Sequence, residues 1–251
     1  MSRLVFGAQP VRELLRARGG RGVRIYLQNK ETEDRRLESL GKLAQEVGAE
    51  IFNVDRGELD RRAKGGMHQG ALAEAPPLVI LEDRALIEAL ETADRPAVAI
   101  LDGVVDPHNF GAVIRSAVAL GAPWVVWGEH ASAPLTPTTF RASAGAVEHA
   151  RLARVRSLPG IVRTLAEMSF TVALLDPDGD VALHEVDLAG PCAIIIGAEE
   201  KGAKPAVRKA ATHRARLPMS GKVQSLNASV AGAIAFYEVM RQRNFGIATA
   251  T

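Results

Sequence analysis

With 251 residues, 47% of them hydrophobic and 24% charged, and a net charge of only +2, the chain can bury a core for one large domain or two smaller ones and reads as a soluble globular protein. No apolar run approaches the ~20 residues of a membrane span, and MSRLVFGAQPVRELL has Arg3 and Glu13 where a secretory leader needs an unbroken apolar core, so the expected compartment is the cytoplasm. A lone cysteine, Cys192, excludes an internal disulfide and, lying in the apolar run PCAIII, reads as a core residue.

In chain order, residues 1–75 read as a small α/β unit. It comprises a helix at about 10 to 17, the strand VRIYL, a helix with Leu37, Leu40, Leu43 and Val47 at three- and four-residue spacing, a stop at Gly48, and the strand EIFNV. The segment GGMHQGALAEAPP closes it, because paired prolines disfavour both helix and central strand, and residues 76–95 are expected to be a linker. Residues 96–251 form the second region, with the apolar runs AVAIL, WVVW, FTVALL, CAIII and RARL separated by polar loops or helical segments. That alternation predicts an α/β fold with a mostly parallel sheet covered on both faces. Ligands of such sheets bind beyond the carboxyl ends of the strands, where DGVVDPHNFG, GEHASAP, DPDGD, GAEEKG and PMSGKVQSLN lie.

Charge is spread unevenly. Lys201 to Tyr237 holds seven Lys or Arg and no Asp or Glu, while Arg12, Arg16, Arg18, Arg21 and Arg24 surround a single Glu13. Residues 1–75 carry 14 Lys or Arg against 11 Asp or Glu, and the remainder 17 against 18. Such runs are usually solvated faces, but two of them also fit a polyanionic partner.

Several familiar sites fail on detail. In GAEEKGAK, Gly197 and Gly202 have the separation of a phosphate-binding loop, but Ala203 intervenes before Lys204, Pro205 follows it, and Glu199 and Glu200 would repel phosphates. DGVVDPHNFG lacks three correctly spaced glycines for a dinucleotide, and ASAGA around Ser143 has Arg141 where a nucleophile elbow needs glycine. The six histidines show no metal-ligand spacing with acids or Cys192, so no metal is expected.

PMSGKVQSLNASVAGAIAFYE poses a sharper question. Asn227 is a favoured N-cap, with Val230, Ala233, Ile234, Tyr237 and Met240 at helical spacing behind it. A cap leaves Ser225, Ser229 and the Gly221 loop without a role, so on this stretch alone cap and functional site weigh equally. Three segments, DPHNFGAVIRSAVALG (106–121), IIIGAEEKG (194–202) and LPMSGKVQSLNAS (217–229), together resemble the signature motifs of the SpoU/TrmH family of RNA ribose 2′-O-methyltransferases, in order and spacing. RASAGAVEH (141–149) matches a further family segment, and the resemblance covers about 96 to 243. VFGAQPVRELL and MHQGALAEA look like the substrate-binding domain of the branch that methylates a guanosine of large-subunit ribosomal RNA.

This resemblance implies an S-adenosylmethionine-dependent enzyme, a homodimer, whose C-terminal chain is threaded through a trefoil knot. It also implies that Gly197, Leu217, Met219 and Leu226 line the cofactor pocket, and that Asn109, Arg115, Glu199, Ser225 and Asn227 form the polar catalytic set. Glycine permits close backbone approach, and Leu and Met supply apolar walls. A guanidinium is effectively never deprotonated, so Arg115 is expected to clamp a substrate phosphate and stabilise the developing alkoxide; without the motif it would read as a surface arginine. Target selection is expected from the N-terminal unit, with Arg12, Arg16 and Arg18 on the RNA. The small residues Ala231, Gly232, Ala233 and Ala235 would admit a close helix neighbour, in a partner subunit or within one chain. A transfer-RNA guanosine methyltransferase and a non-catalytic RNA-binding protein of the same fold are the alternatives.

Overall fold

The computed structural model describes residues 2–29, 34–130, 135–199, 201–223 and 225–245. They run β1 (Arg3–Phe6), α1 (Ala8–Arg18), β2 (Arg24–Gln28), α2 (Arg35–Glu46), β3 (Glu50–Val54), α3 (Arg56–Ala63), β4 (Ala71–Ala75), β5 (Ile80–Leu81) and α4 (Asp83–Glu91). The order continues with β6 (Ala97–Asp102), α5 (Pro107–Ala119), β7 (Trp124–Gly128), α6 (Pro137–Ala142), β8 (Arg151–Val155), α7 (Leu158–Glu167), β9 (Thr171–Leu175) and β10 (Val181–Ala182). It ends with β11 (Cys192–Gly197), α8 (Pro205–Ala210), β12 (His213–Arg216) and α9 (Ala228–Gln242). The chain divides into two units, Met1–Val79 with Leu135–His149, and Ile80–Pro134 with Ala150–Thr251.

In the first unit the strand order is β1-β4-β2-β3, with β2 and β3 parallel and β4 antiparallel to both its neighbours. Leu14 and Leu15 of α1 and Leu37 and Leu40 of α2 close over Val5, Ile25 and Ala73 of the sheet. Asp34 and Asp55 cap α2 and α3 by accepting the backbone N–H of Arg36 and Glu58. The sequence reading did not resolve β1, α3 or β4. RGELDRRA buries only Leu59 and Ala63, too few for an apolar period, and ALAEA is rich in a poor strand former although four of its five residues are buried. The second stretch of this unit carries Glu148, whose side chain is fully buried. Arg3 grips it with two guanidinium nitrogens at 2.6 and 2.7 Å, and Nε of Arg18 adds a third bond at 2.9 Å, which together compensate the buried charge.

The second unit is an eight-stranded sheet of order β10-β12-β9-β11-β6-β7-β8-β5, and every pairing in it is parallel. Parallel strands buried on both faces must be apolar, as all of β7 is and β6 is up to its last residue, Asp102. Val98 and Ile100 face a cluster with Leu86 and Leu90 of α4, Ile161 and Leu165 of α7 and Val207 of α8. By alternation Ala99 and Leu101 face the other side, where α5 and α9 pack on each other and on the sheet. The sequence reading missed β8, where RLARV breaks the apolar run; Arg151 lays its guanidinium over the Trp124 ring, 4.8 Å from the centroid. The span 76–95 carries β5 and α4, and Cys192 is buried.

Helix α9 forms where the spacing places a helix, with three of the spaced apolar residues exposed. Its buried face is Ala228, Gly232, Ala235, Phe236 and Val239, whereas Val230, Ile234 and Tyr237 are 46%, 43% and 50% exposed. Gly232 and Ala235 therefore serve packing inside the chain: a Cβ on Gly232 would stand 2.6 Å from the Ile196 Cδ1.

Candidate active site

Strands β9, β11 and β12 end on one rim, and the loops that follow them enclose a cavity of about 800 Å³. Its lining includes Gly197, Leu217, Met219 and Leu226, the four residues expected to hold a cofactor, together with Glu199 and Ser225. The volume lies within the ~300–1,000 Å³ usual for ligand cavities. Gly197 is required by sterics, because a Cβ there would overlap the backbone of Gly202 and Ala203. That overlap reflects how tightly the loop after β11 doubles back, through paired backbone hydrogen bonds between Ala198 and Gly202.

Three of the expected polar residues meet at this rim. Asn109 stands in the first turn of α5, which Asp106 caps by accepting from the N–H groups of His108 and Asn109. Its Nδ2 donates to Glu199 Oε1 at 2.8 Å. Asn227 donates from its own Nδ2 to the same Oε1 at 2.6 Å and to Asn109 Oδ1 at 3.0 Å. Its Oδ1 accepts from the backbone of Ser229 and Val230 and from the Ser229 hydroxyl. Asn227 is thus both cap and cluster member: the oxygen starts α9 while the amide ties two other loops together. The Ser229 hydroxyl is spent on that cap. Among the described residues Glu199 Oε2 has no hydrogen-bond partner, so the carboxylate is held by one oxygen and open at the other.

The structure does not bring Arg115 into this cluster. It projects from α5 six residues beyond Asn109, is exposed, and its side chain makes no hydrogen bond or ion pair among the described residues. Ser225 lines the cavity with no hydrogen bond among the described residues, and Glu200 lies outside them.

Two acids escaped the sequence reading. Asp102, at the end of β6, is buried and accepts the backbone N–H of Lys204 at 2.7 Å, so it anchors the far end of the loop that carries Glu199. Asp176 in DPDGD is buried at the cavity wall, paired with Arg208 at 2.9 Å and Arg214 at 3.2 Å. Both open loops at strand carboxyl ends, Asp102 in DGVVDPHNFG and Asp176 in DPDGD, but nothing local marked either acid for burial. Among the described residues no group of three or more His, Cys, Asp or Glu is placed to hold a metal.

In the first unit, Arg12 and Arg16 line one groove between α1 and α2 with Arg35 and Lys42, and with the acids Glu38 and Glu46. Arg12 also bonds Ser39 Oγ and the Arg36 carbonyl, and Arg16 bonds Glu13. Arg18 is not in the groove; it is bound to Glu148.

A parallel sheet with a cavity at its carboxyl rim and a carboxylate fixed by two carboxamides beside it is the site of a cofactor-dependent enzyme. Comparison with known proteins narrows the class: the model of the SpoU rRNA methylase family matches residues 96–237, and that of the RNA 2′-O ribose methyltransferase substrate-binding domain matches residues 4–79. The chain belongs to the SpoU rRNA methylase family. It is 35% identical to the 23S rRNA (guanosine-2′-O-)-methyltransferase RlmB of Photorhabdus laumondii, over 97% of this chain and 100% of that one. It is 36% identical to an uncharacterized tRNA/rRNA methyltransferase of Mycolicibacterium vanbaalenii, over 96% of this chain and 76% of the relative. Among solved structures, the SpoU methyltransferase AviRb of Streptomyces viridochromogenes, in complex with the cofactor AdoMet, superposes with a TM-score of 0.76 at 25% identity, covering 98% of this chain and 92% of that one.

Proposed function

We propose that this chain transfers the methyl group of S-adenosylmethionine to the ribose 2′-oxygen of a guanosine in large-subunit ribosomal RNA. The observation that carries the reading is the union of Asn109, Glu199 and Asn227, from three distant segments, at the edge of a cavity lined by Gly197, Leu217, Met219 and Leu226. The full-length likeness to an RlmB protein supports the substrate, and the AdoMet complex of AviRb supports the cofactor.

The residues present fit that cofactor. Apolar side chains suit an adenine, and the glycine at the end of β11 lets the loop that carries Glu199 fold back tightly beside them. When bound, the cofactor supplies an electrophilic sulfonium methyl. The chain's task is to hold the ribose oxygen in line and ease loss of its proton. Asn109 and Asn227 fix one oxygen of Glu199, leaving the other to accept a hydrogen bond from the substrate. The open guanidinium of Arg115 clamps an RNA phosphate and stabilises the alkoxide as it forms, the proton passing to that phosphate or to water. Ser225 supplies a further hydroxyl at the cavity wall.

The reading extends to a cytoplasmic homodimer with the family's trefoil knot. The stripe Val230, Ile234 and Tyr237 on α9, spaced by four and three residues and exposed, supports self-association through this helix. Light scattering is expected to give twice the 26.7 kDa chain mass at micromolar concentration; a 26.7 kDa particle would refute the dimer. The catalytic reading is tested with purified protein, labelled S-adenosylmethionine and transcripts of large-subunit ribosomal RNA and of transfer RNA. Label in a guanosine ribose of the first transcript is expected, label only in the second would overturn the target, and failure to bind the cofactor in calorimetry would overturn the enzyme.

A further inference from the structure

We propose that the first unit holds a pocket for one unstacked nucleotide of the RNA substrate, separate from the cofactor cavity; this rests on the RNA-methylating reading above. The pocket, of about 600 Å³, lies between the turn Lys64–Met67 and the residues Leu135–Arg141. Its walls are apolar, with the rings of Phe6 and Phe140 and the side chains of Leu135 and Met67, and every charged residue lining it is basic: Arg3, Lys64 and Arg141. Arg3 is neutralised by Glu148 and lies over the Phe140 ring, 5.3 Å from its centroid. Lys64 and Arg141 are exposed, and their side chains make no ion pair or hydrogen bond among the described residues. A pocket with aromatic rings inside and two free cations at the rim, and no carboxylate, matches a ligand with a flat apolar face and an attached anion. A nucleobase with its phosphate is such a ligand, since stacking is open to every base and the backbone charge accompanies it.

The backbone around the pocket is built to this shape. Lys64, Gly65, Gln69 and Gly70 all have positive φ, at 47°, 87°, 49° and 86°, so two residues with side chains are held in the left-handed region that favours glycine. His68 locks the far side of the turn, accepting the Gly70 N–H at Nδ1 and bonding Asp60 through Nε2. Gly66 is drawn so close to Phe6 that a Cβ would stand 3.1 Å from the ring. Met67 is left 60% exposed at the mouth. The other aromatics of the N-terminal residues lie outside the pocket: Tyr26 stacks on Phe52 at 5.2 Å and receives Arg62 over its ring.

The test uses the full-length protein and a fluorescein-labelled transcript of large-subunit ribosomal RNA, read by anisotropy over a salt series. Lys64→Ala with Arg141→Ala is expected to weaken binding at least tenfold and to flatten the slope of log K against log salt by roughly 1.4, at ~0.7 for each single-strand phosphate contact. Leu135→Trp, which fills the pocket and leaves the charge unchanged, is expected to weaken binding about tenfold with the slope retained, the effect of one lost stacked base. Met67→Asp, at an exposed position that cannot unfold the chain, is expected to act in the same direction. All variants keep wild-type S-adenosylmethionine affinity. Wild-type RNA affinity in both Leu135→Trp and Met67→Asp would overturn the pocket even if the charge variant were weak, because a phosphate patch alone would then suffice. Wild-type protein that binds S-adenosylmethionine but not the transcript would overturn the RNA target and the pocket together, whereas normal methylation by pocket variants of normal affinity would overturn the pocket alone.

Discussion

Glu199 of the second unit and Glu148 of the first are held in opposite ways. At the cavity rim of the second unit a single carboxylate, Glu199, is held by neutral carboxamides, so its position is fixed without cancelling its charge. In the first unit the buried carboxylate Glu148 is gripped by Arg3 and Arg18, so its charge is cancelled, while the side chains of Lys64 and Arg141 remain exposed without a partner among the described residues. The difference separates chemistry from docking. A reacting centre needs a preorganised polar group that keeps its reactivity, whereas a surface that holds a polyanion needs cations free of internal partners.

The comparison breaks most readily at Arg115. Arg115→Ala is expected to reduce methyl transfer by at least about a thousandfold while S-adenosylmethionine affinity in calorimetry stays within a few fold, because this side chain is open to the RNA and absent from the cofactor cavity. Arg115→Lys should fail similarly, since a point charge does not reproduce a bidentate fork, and an active Lys variant would contradict the clamp. Asn227→Asp separates cap from cluster. Asp caps a helix as well as Asn, so thermal stability should hold, while a second carboxylate 2.6 Å from Glu199 should lower turnover by about a hundredfold. Equal activity would mean that Asn227 is a cap alone.

In the first unit, Arg12→Ala with Arg16→Ala is expected to weaken RNA binding about tenfold at low salt and to flatten its salt slope, leaving stability unchanged. Arg18→Ala should do the reverse, lowering the melting temperature by removing one of two partners of a buried carboxylate, with less effect on RNA. The smallest effect is at Cys192, whose thiol is pushed up to about 11 by burial, against a weaker opposing pull from Arg243. A raised folded pKa favours the neutral thiol, so its contribution is complete below the unfolded value of ~8.5 and is lost as pH climbs towards 11. Urea unfolding of the native chain and of Cys192→Ala should therefore converge over that window, and a constant gap would refute the shift.

What could be read without coordinates follows from where the information is local. The strands AVAIL, WVVW and CAIII announced themselves because burial on both faces demands unbroken apolar runs, and Asn227 because capping is a property of a few adjacent residues. The cluster needs contacts across 90 and 118 positions, which no local pattern encodes; it was legible only through the motif resemblance. Arg18 shows the limit most plainly. Composition groups it with Arg12 and Arg16, but it points to Glu148, 130 residues away, a pairing no charge count distinguishes. The apolar spacing of α9 likewise marked a real helix without saying which face is buried, and the buried face is Ala228, Gly232, Ala235, Phe236 and Val239.

The central claim is that the cavity and its amide-held carboxylate serve methyl transfer to a guanosine ribose of large-subunit ribosomal RNA, and ribose-methylation mapping of total RNA from cells with and without this gene tests it most directly. The account predicts loss of one guanosine methyl in large-subunit ribosomal RNA, restored by the native gene and not by Arg115→Ala. Unchanged ribosomal RNA, with loss confined to a transfer RNA, would contradict it.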